Sequence, residues 1–565
     1  MASSRSTKTI SYETDPHTNA SFFFPDFMLI MPRVVLCGTH PNQFNGYSKV
    51  IFEVIRELAK LPRMQIFIFG FQNYHDIPAH ETARKLPANV EVYDAYKNED
   101  PKAKGFGESL IVNYVLEKKP DMVIVYNDLI VLATFMERLK AIQPRTFKIV
   151  PYIDIVYRNE RTALIKHIND ICDGGIMFTK YWEKVIKSQG FDKPTHIMEH
   201  GFNNTVYFPV DKPVARAYFN IPDEDFVIVN LNRNQPRKRW DVCLMAFVKF
   251  ISMHEDPAIK LIVGTALTGG WDLVEIFVHE CRKYGLDPEV AKKHLIILQT
   301  PQQLTDREVN IMYNAADVGI NTCDGEGFGL CNFEQAGVGI PQVVPAIGGF
   351  LDFFNENNAI LVEPKWSLYV ESSRDAVGGE AQMCEVDDFV AGLEQYYSDP
   401  ELRKTHGANA RKNITTNYKW STMASKLYNV IMHYCPEAPA PVPAITPAPV
   451  AAAPAKKLEP VEEEPNAAED MPNVDVSKLS GEKVLERPKP GLFSEFEVYD
   501  APEPAPAPSV HVTAAAAPAP APVPTPVAQA EEPSNEDSDD DAIEQIAKMQ
   551  AQLAKLMAKK KKKAT

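Results

Sequence analysis

Strand and helix patterns alternate along most of this chain, and this alternation limits the folds it can adopt. The first apolar run, 33–38, is followed by a helical pattern. In that pattern Ile51, Val54, Ile55 and Leu58 recur at intervals of three and four residues. Further apolar runs follow at 65–71, 122–128, 147–157 and 174–179. Strands separated by helices predict a parallel sheet with helices on both faces.

A second series of the same kind begins after Pro209. Its apolar runs lie at 225–232, 259–265, 294–300, 316–322 and 341–346. A helical pattern at 240–254 follows the first of them, and closing helices are predicted from 386 to 433. The prediction is therefore an α/β chain with two doubly wound, Rossmann-like domains and a cleft between them.

The domain limits follow from these patterns and from the shift in composition at Cys435. They are an N-terminal extension (1–31), a first Rossmann-like domain (32–208), a second Rossmann-like domain (209–400), closing helices (401–435), a Pro/Ala-rich and acidic linker (436–540) and a short basic amphipathic helix (541–565). The linker composition cannot bury enough apolar surface to fold, so a long disordered tail is predicted.

Charge and cysteine content exclude some classes of function. The formal net charge is −16, and the segment after Cys435 carries the larger part of it. No domain-wide basic surface is implied, so nucleic acid is not an expected partner. The 8 cysteines are scattered and form no metal-binding spacing, which is typical of reduced core residues. No signal peptide or membrane span is predicted, so we expect a cytoplasmic protein, with peripheral membrane attachment as an alternative.

The end of the chain leaves two interpretations open. Ile546, Met549, Leu553 and Leu556 share one face of the predicted helix, beside a run of lysines at 559–563. The charge runs can be merely solvated. Alternatively, the helix can dock on an anionic membrane surface or associate with a second copy of itself.

A glycine-rich turn joins the run at 316–322 to the next helix. Gly325, Gly327 and Gly329 let backbone amides approach a ligand closely, and a helix N-terminus at that place suits a phosphate. Glu326 precedes the helix and Glu334 lies about two turns inside it. These two carboxylates suit sugar or ribose hydroxyls, although a pair of acids on a helix surface would show the same spacing.

A basic cluster follows the first strand of the second series. It comprises Arg233, Arg237, Lys238 and Arg239 within 230–241. At the carboxyl end of a strand in an acidic protein, such a cluster indicates a clamp for a diphosphate. A solvated basic loop is the alternative.

These segments closely resemble the retaining glycosyltransferases of the GT-B fold, specifically family 4, the glycosyl transferases group 1. The E-x7-E hallmark of that family matches Glu326 and Glu334. Its Arg and Lys, five residues apart, match Arg233 and Lys238. Its HG-x5-F-x-P signature matches 200–209. The resemblance covers about 33–433.

The resemblance implies a role for each matching residue. Arg233 and Lys238 would hold the diphosphate and stabilise its charge as the bond to the sugar breaks. The same task would fall to the backbone amides around Gly327, Phe328, Gly329 and Leu330. Glu326 would contact the donor sugar and Glu334 the ribose.

The first domain would supply the acceptor or phosphate side of the site through Gly46 and Tyr47. The family usually has a His-Asp pair at a strand end of this domain. Here the aligned residues are Ile153 and Asp154. Asp154 is retained as a catalytic candidate, and the missing histidine leaves the identity of the donor sugar open.

The expected reaction is the transfer of a hexose from a UDP- or GDP-linked sugar to a glycan, lipid or protein acceptor. Retention of configuration and independence from metal are implied by the resemblance. No Asp-x-Asp follows a strand to bind a divalent ion, so no metal and no cofactor are expected. A catalytically silent nucleotide-sugar-binding scaffold that recruits partners through its tail is the alternative. It would be favoured by loss of the clamp or the acids, and none is lost.

Overall fold

The structure is a computed structural model that describes 31–435 apart from 44, 62–63, 75–83, 101–104, 255, 299–303 and 376. The described residues all belong to one compact unit. The predicted linker, the predicted terminal helix and nearly all of the predicted N-terminal extension lie outside the described residues. No helix in the described ranges is long and apolar enough to cross a bilayer.

The first domain is an eight-stranded sheet whose described strand pairs are all parallel. Its strands are β1 Arg33–Thr39, β2 Gln65–Phe71, β3 Val90–Asp94, β4 Met122–Asp128, β5 Lys148–Ile149, β6 Tyr152–Asp154, β7 Gly175–Met177 and β8 Thr195–Ile197. Their order is β3-β2-β1-β4-β6-β7-β8, with β5 paired to β4. The helices are α1 Gly46–Leu58, α2 Ala95–Asn98, α3 Ile111–Lys118, α4 Leu129–Lys140, α5 Thr162–Ile171 and α6 Lys180–Ser188.

The second domain contains a six-stranded parallel sheet in the order β11-β10-β9-β12-β13-β14. Its strands are β9 Phe226–Asn230, β10 Ile259–Val263, β11 Leu295–Ile297, β12 Val318–Ile320, β13 Gln342–Pro345 and β14 Ile360–Val362. The helices of this part are α7 Lys212–Tyr218, α8 Trp240–Met253, α9 Leu273–Lys283, α10 Pro288–Ala291, α11 Asp306–Ala315, α12 Leu330–Gly337 and α13 Phe350–Phe353.

A separate antiparallel hairpin and the closing helices complete the described chain. They are β15 Trp366–Val370, α14 Ser372–Asp375, β16 Gly379–Met383, α15 Val386–Ser398, α16 Pro400–Asn417 and α17 Trp420–Tyr434. The predicted fold class, two doubly wound parallel sheets with helices, is confirmed.

Both faces of the first sheet are covered, as parallel sheets require. In β1, Val34 and Leu36 join a core cluster that also contains the apolar stripe of α1. Val35 and Cys37 point to the opposite cluster, which contains α3 and α4. Because neighbouring side chains of a strand face opposite sides, a strand buried on both faces needs an uninterrupted apolar run. This is why the sequence showed continuous rather than alternating patterns.

The closing helices connect the two domains. α16 packs against α12 of the second domain, whereas α17 crosses back and packs against α1 of the first. At the crossing point, the amide of Phe202 donates to the Tyr418 carbonyl at 2.7 Å. The chain therefore crosses between the domains a second time after the first passage near Pro209, which restricts their relative movement.

The sequence prediction of a single strand over 147–157 is wrong. Two short strands, β5 and β6, replace it, because Pro151 between them has no amide hydrogen for the ladder. After Asp154 the chain leaves the sheet. The buried carboxylate of Glu160 accepts the amides of Val156 and Tyr157 at 2.9 and 3.2 Å, which holds this segment as a loop. The hairpin β15–β16 was also not predicted.

His200 lies where the first domain, the second domain and α17 meet. Its ring centroid is 4.6 Å from that of Phe178, 4.4 Å from Phe328 and 6.3 Å from Trp420. Both ring nitrogens are buried, and neither has a hydrogen-bond partner among the described residues. Burial lowers the pKa of His200 from 6.5 to about 3, since no neighbouring group compensates a charge there.

We expect His200 to make the folded state sensitive to acid. The folded protein resists protonation of His200, whereas the unfolded chain does not. The contribution of neutral His200 to the free energy of unfolding is therefore complete above pH 6.5 and is lost as the pH falls towards 3. Between pH 7.5 and 5 the loss is about 2 kcal/mol. Denaturant titration of wild type and His200→Phe at both pH values measures this difference. His279→Phe, whose native side chain is 76% exposed, is the control. Parallel pH dependence of wild type and His200→Phe would contradict this account.

Candidate active site

The glycine turn between β12 and α12 has a shape that only glycine tolerates at two positions. Gly329, the N-cap of α12, has a φ of +90°, and a Cβ there would lie 2.3 Å from Cε1 of Phe350. A Cβ at Gly327 would lie 2.3 Å from Oδ1 of Asp154 in the first domain. The turn is therefore pressed between a helix of its own domain and a strand end of the other.

This turn presents unpaired backbone donors. The first amides of α12, beginning at Leu330, have no carbonyl partner within the helix. The amides of Gly327, Phe328 and Gly329 donate to no described residue. Such amides, at the positive end of a helix, suit an anion.

The basic loop after β9 meets this turn. The Lys238 ammonium is buried and pairs with the Glu326 carboxylate. Arg237 donates to the Gly325 carbonyl at 3.1 Å and lies 3.8 Å from Glu326. Burial alone would raise the pKa of Glu326, but Lys238 and Arg237 lower it below its ordinary value. The two sequence motifs thus form one cluster around an ionised carboxylate.

The other two arginines of the basic cluster differ from each other. Arg233 is exposed and lies within electrostatic range of Tyr47 and Glu326. No described residue accepts a hydrogen bond from its side chain. Arg239 is instead bound by Asp241, with Nη2 at 2.7 Å from Oδ2. Of the pair, only Arg233 is available to a ligand.

Glu334 is buried inside α12 and contacts the first domain. Its carboxylate accepts from Lys49 of α1 at 2.7 Å and from the Tyr313 hydroxyl at 3.2 Å. Lys49 also donates to the Tyr207 hydroxyl at 2.6 Å. Burial raises the pKa of Glu334, and Lys49 opposes this. Sequence reasoning missed Lys49, although it lies two residues after Tyr47 on the same helix.

The first domain contributes a carboxylate at the end of β6. The Tyr47 hydroxyl donates to Oδ2 of Asp154 at 2.6 Å. Oδ1 is buried and has no hydrogen-bond partner in the part of the chain that the structure describes. Burial raises the pKa of Asp154 to about 6, and the bond from Tyr47 opposes the rise. At Gly46 a Cβ would lie 3.3 Å from Cδ1 of Leu330, so the first turn of α1 also reaches α12.

Two further side chains of the first domain hold the turn, and no sequence pattern indicated either of them. Trp182 on α6 donates from Nε1 to the Gly327 carbonyl at 2.6 Å. The Tyr157 hydroxyl donates to Oδ1 of Asp324 at 3.0 Å. Direct contacts therefore link the predicted residues of both domains into one site. In the described ranges, no group of three His, Cys, Asp or Glu side chains could hold a metal ion.

Two doubly wound domains that meet at such a turn define the GT-B fold. Solved structures share this architecture. Sucrose-phosphate synthase from Thermosynechococcus elongatus aligns with a TM-score of 0.53 at 16% identity, over 71% of this chain and 98% of that one. HepE from Anabaena in complex with UDP-glucose aligns with a TM-score of 0.52 at 15% identity, over 71% of this chain and 100% of that one. At these identities the likeness shows the fold alone.

Residues 211–413 match the family model of the glycosyl transferases group 1. This match covers most of the second domain, and for that part of the chain it confirms the resemblance seen in the sequence. The D-inositol 3-phosphate glycosyltransferase of Rhodococcus erythropolis is 28% identical over 237 residues, which are 41% of this chain and 48% of that protein. The chain spans about half the length of the curated relatives that it matches.

The pair between Lys49 and Glu334 should contribute to stability across the domain boundary. Lys49→Met leaves a buried carboxylate without its cation, which should lower the free energy of unfolding by about 3 kcal/mol. Adding Glu334→Gln should recover most of that loss. The control is Lys60→Met, because Lys60 is 61% exposed and its pair with Glu57 is worth under about 1 kcal/mol. Equal losses in Lys49→Met and in the double variant would rule out the pair as the cause.

Proposed function

We propose that this chain is a retaining glycosyltransferase that moves a hexose from a UDP- or GDP-linked sugar to an acceptor, without a bound metal ion. The observation that carries the proposal is the buried Lys238–Glu326 pair beside the amides of the glycine turn. The family of the second domain and the names of its relatives support the reaction class. The acceptor is a glycan, lipid or protein, and the relatives' name adds inositol 3-phosphate to the compounds to test.

The diphosphate would be held by charge and backbone donors together. An ammonium has three hydrogens, and Lys238 uses one toward Glu326, so the others can reach phosphate oxygens. Arg233 and the first amides of α12 add donors to the same place. The acceptor hydroxyl would form the new bond to the anomeric carbon and give its proton to the diphosphate. As the bond between the anomeric carbon and the diphosphate breaks, its electron pair passes to the leaving oxygen. These groups then stabilise the charge that develops there.

The carboxylates would bind the neutral parts of the donor. Glu326, kept ionised by Lys238, can accept hydrogen bonds from sugar hydroxyls. Glu334 would take the ribose hydroxyls. The unpaired Oδ1 of Asp154 faces Gly327, where it can stabilise the positive charge that develops on the sugar ring in the transition state.

Removal of the clamp lysine tests the proposed roles. Lys238→Ala should lower kcat by about 10²-fold or more, which is the effect of losing one donor that stabilises developing charge. Release of nucleoside diphosphate from a panel of UDP-, GDP- and ADP-sugars, with and without acceptors, provides the assay. Lys292→Ala on the exposed surface should leave turnover unchanged. Wild-type turnover in folded Lys238→Ala would remove Lys238 from the mechanism.

The same assay separates transfer from mere binding. A silent nucleotide-sugar-binding scaffold would gain about 2.7 kcal/mol of stability from a donor at 100 times its dissociation constant, yet release no diphosphate with any acceptor. NMR of the anomeric proton in the product tests retention. Activity that is lost with EDTA and restored by a divalent ion would contradict independence from metal.

The raised pKa of Asp154 predicts that kcat/KM falls at acidic pH. If its ionised form is needed, kcat/KM should fall about tenfold per unit below a pH near 6. The bond from Tyr47 lowers the pKa of Asp154, so Tyr47→Phe should move this acid limb to higher pH. Tyr218→Phe, at an exposed position of α7, should not move it. An acid limb at the same pH in wild type and Tyr47→Phe would exclude Asp154 as the titrating group.

A further inference from the structure

The hairpin β15–β16 is an addition to the second domain that belongs to neither large sheet. It lies between β14 and α15, and its two strands pair only with each other among the described strands. α14 lies in the connection between them. Because two-stranded hairpins are marginal by themselves, its position must depend on other contacts.

One group of those contacts is with the first domain. The Glu380 amide donates to the Arg158 carbonyl at 2.7 Å. The Glu380 carboxylate accepts from Nη2 of Arg158 at 2.5 Å and from Nδ2 of Asn159 at 2.8 Å. Nε of Arg161 donates to the Val377 carbonyl at 2.8 Å. The hairpin thus bonds to the loop that follows β6, the strand that ends with Asp154.

A small apolar cluster backs these polar contacts. Val156 and Tyr157 of the loop pack with Val370, Ala381 and Met383 of the hairpin, and all five are buried. This cluster is separate from the main cores of either domain. Its members come from both domains, so its burial favours the joined arrangement.

The connection between the strands reaches the donor site. Nη2 of Arg374 on α14 donates to Oδ2 of Asp324 at 2.5 Å and to the Pro236 carbonyl at 3.0 Å. Asp324 begins the glycine turn, and Pro236 lies in the basic loop two residues before Lys238. The amide of Gln382 in β16 donates to the Asp324 carbonyl at 2.9 Å. The hairpin therefore bonds to both segments that form the clamp.

Asp324 is the point at which these parts converge. It is 2% exposed, and its carboxylate also accepts from Tyr157 of the first domain. Its amide donates to the Arg237 carbonyl at 3.0 Å. One buried residue thus connects the first domain, the hairpin and the basic loop.

We propose that β15, α14 and β16 form a strap that holds the two domains together, and that Arg374 is a positioning residue for the donor site. Arg374 acts through Asp324 and Pro236, and sets the distance between the glycine turn and the basic loop. This inference rests on the proposed function for its kinetic consequence, but not for its structural one. Without Arg374 the glycine turn and the basic loop would lose a shared partner. Their hydrogen-bond donors would then be less accurately placed to stabilise the charge that develops on the diphosphate.

The structural consequence can be measured without activity. Hydrogen exchange of peptides that cover 321–332 should be faster in Arg374→Gln and in Glu380→Ala than in wild type. Arg282→Gln, at an exposed position of α9, should exchange like wild type. Unchanged exchange in both strap variants would overturn the proposal, whatever the enzymatic activity of the protein.

The kinetic consequence distinguishes positioning from loss of folded protein. In Arg374→Gln, kcat should fall about tenfold to a hundredfold while the KM of the donor stays within about threefold, because the defect lies in the transition state. Calorimetric titration with UDP and GDP should still show the stoichiometry of wild type. Arg374→Lys, or added guanidinium ion, should restore part of the rate.

Three further results would decide between a positioning role, a purely structural role and failure of the proposed function. If kcat falls only in proportion to the binding stoichiometry, the loss reflects unfolded protein, and Arg374 merely supports the fold. If kcat and KM stay within about twofold of wild type, Arg374 has no positioning role. If wild type transfers no sugar but exchange in the strap variants is faster, the proposed function fails and the strap stands.

Discussion

The buried ion pair between Lys238 and Glu326 is the interaction on which the site depends. A charge removed from water costs several kcal/mol unless a partner of opposite sign lies close to it. Each of these groups therefore fixes the other, and with it the loop on which it lies. The basic loop follows β9 and the glycine turn follows β12, which are neighbours in the sheet. Adjacent strand ends bring the two loops together before any ligand binds.

Sheet topology explains why both domains direct their functional loops at the same place. In the second sheet the order reverses at β9, which lies between β10 and β12. In the first sheet it reverses at β1, which lies between β2 and β4, and Gly46 and Tyr47 follow β1. Crevices form at such reversals, beyond the carboxyl ends of the strands. The contact of Gly46 with Leu330 shows that the two crevices face each other.

The sequence predicted those parts of the molecule whose signal is local. The strands at 65–71 and 122–128 have the predicted limits because long apolar runs fill them. The spacing of Glu326 and Glu334 gave their places before and inside α12. The hairpin was missed, because its partner Arg158 is 222 residues from Glu380. Lys49 was missed for the same reason, at 285 residues from Glu334. Pairs at such distances leave no periodicity in a sequence.

Three of the bonds that cross between the domains end on one short segment, 324–334, and this has a consequence for movement. Trp182 holds Gly327, Tyr157 holds Asp324, and Lys49 holds Glu334. Separation of the domains would remove these bonds together and leave buried polar groups on the turn and α12 without partners. The donor site therefore takes up its shape in the same conformational equilibrium in which the cleft closes. A ligand that binds the shaped turn more tightly must favour the closed arrangement by the same free energy.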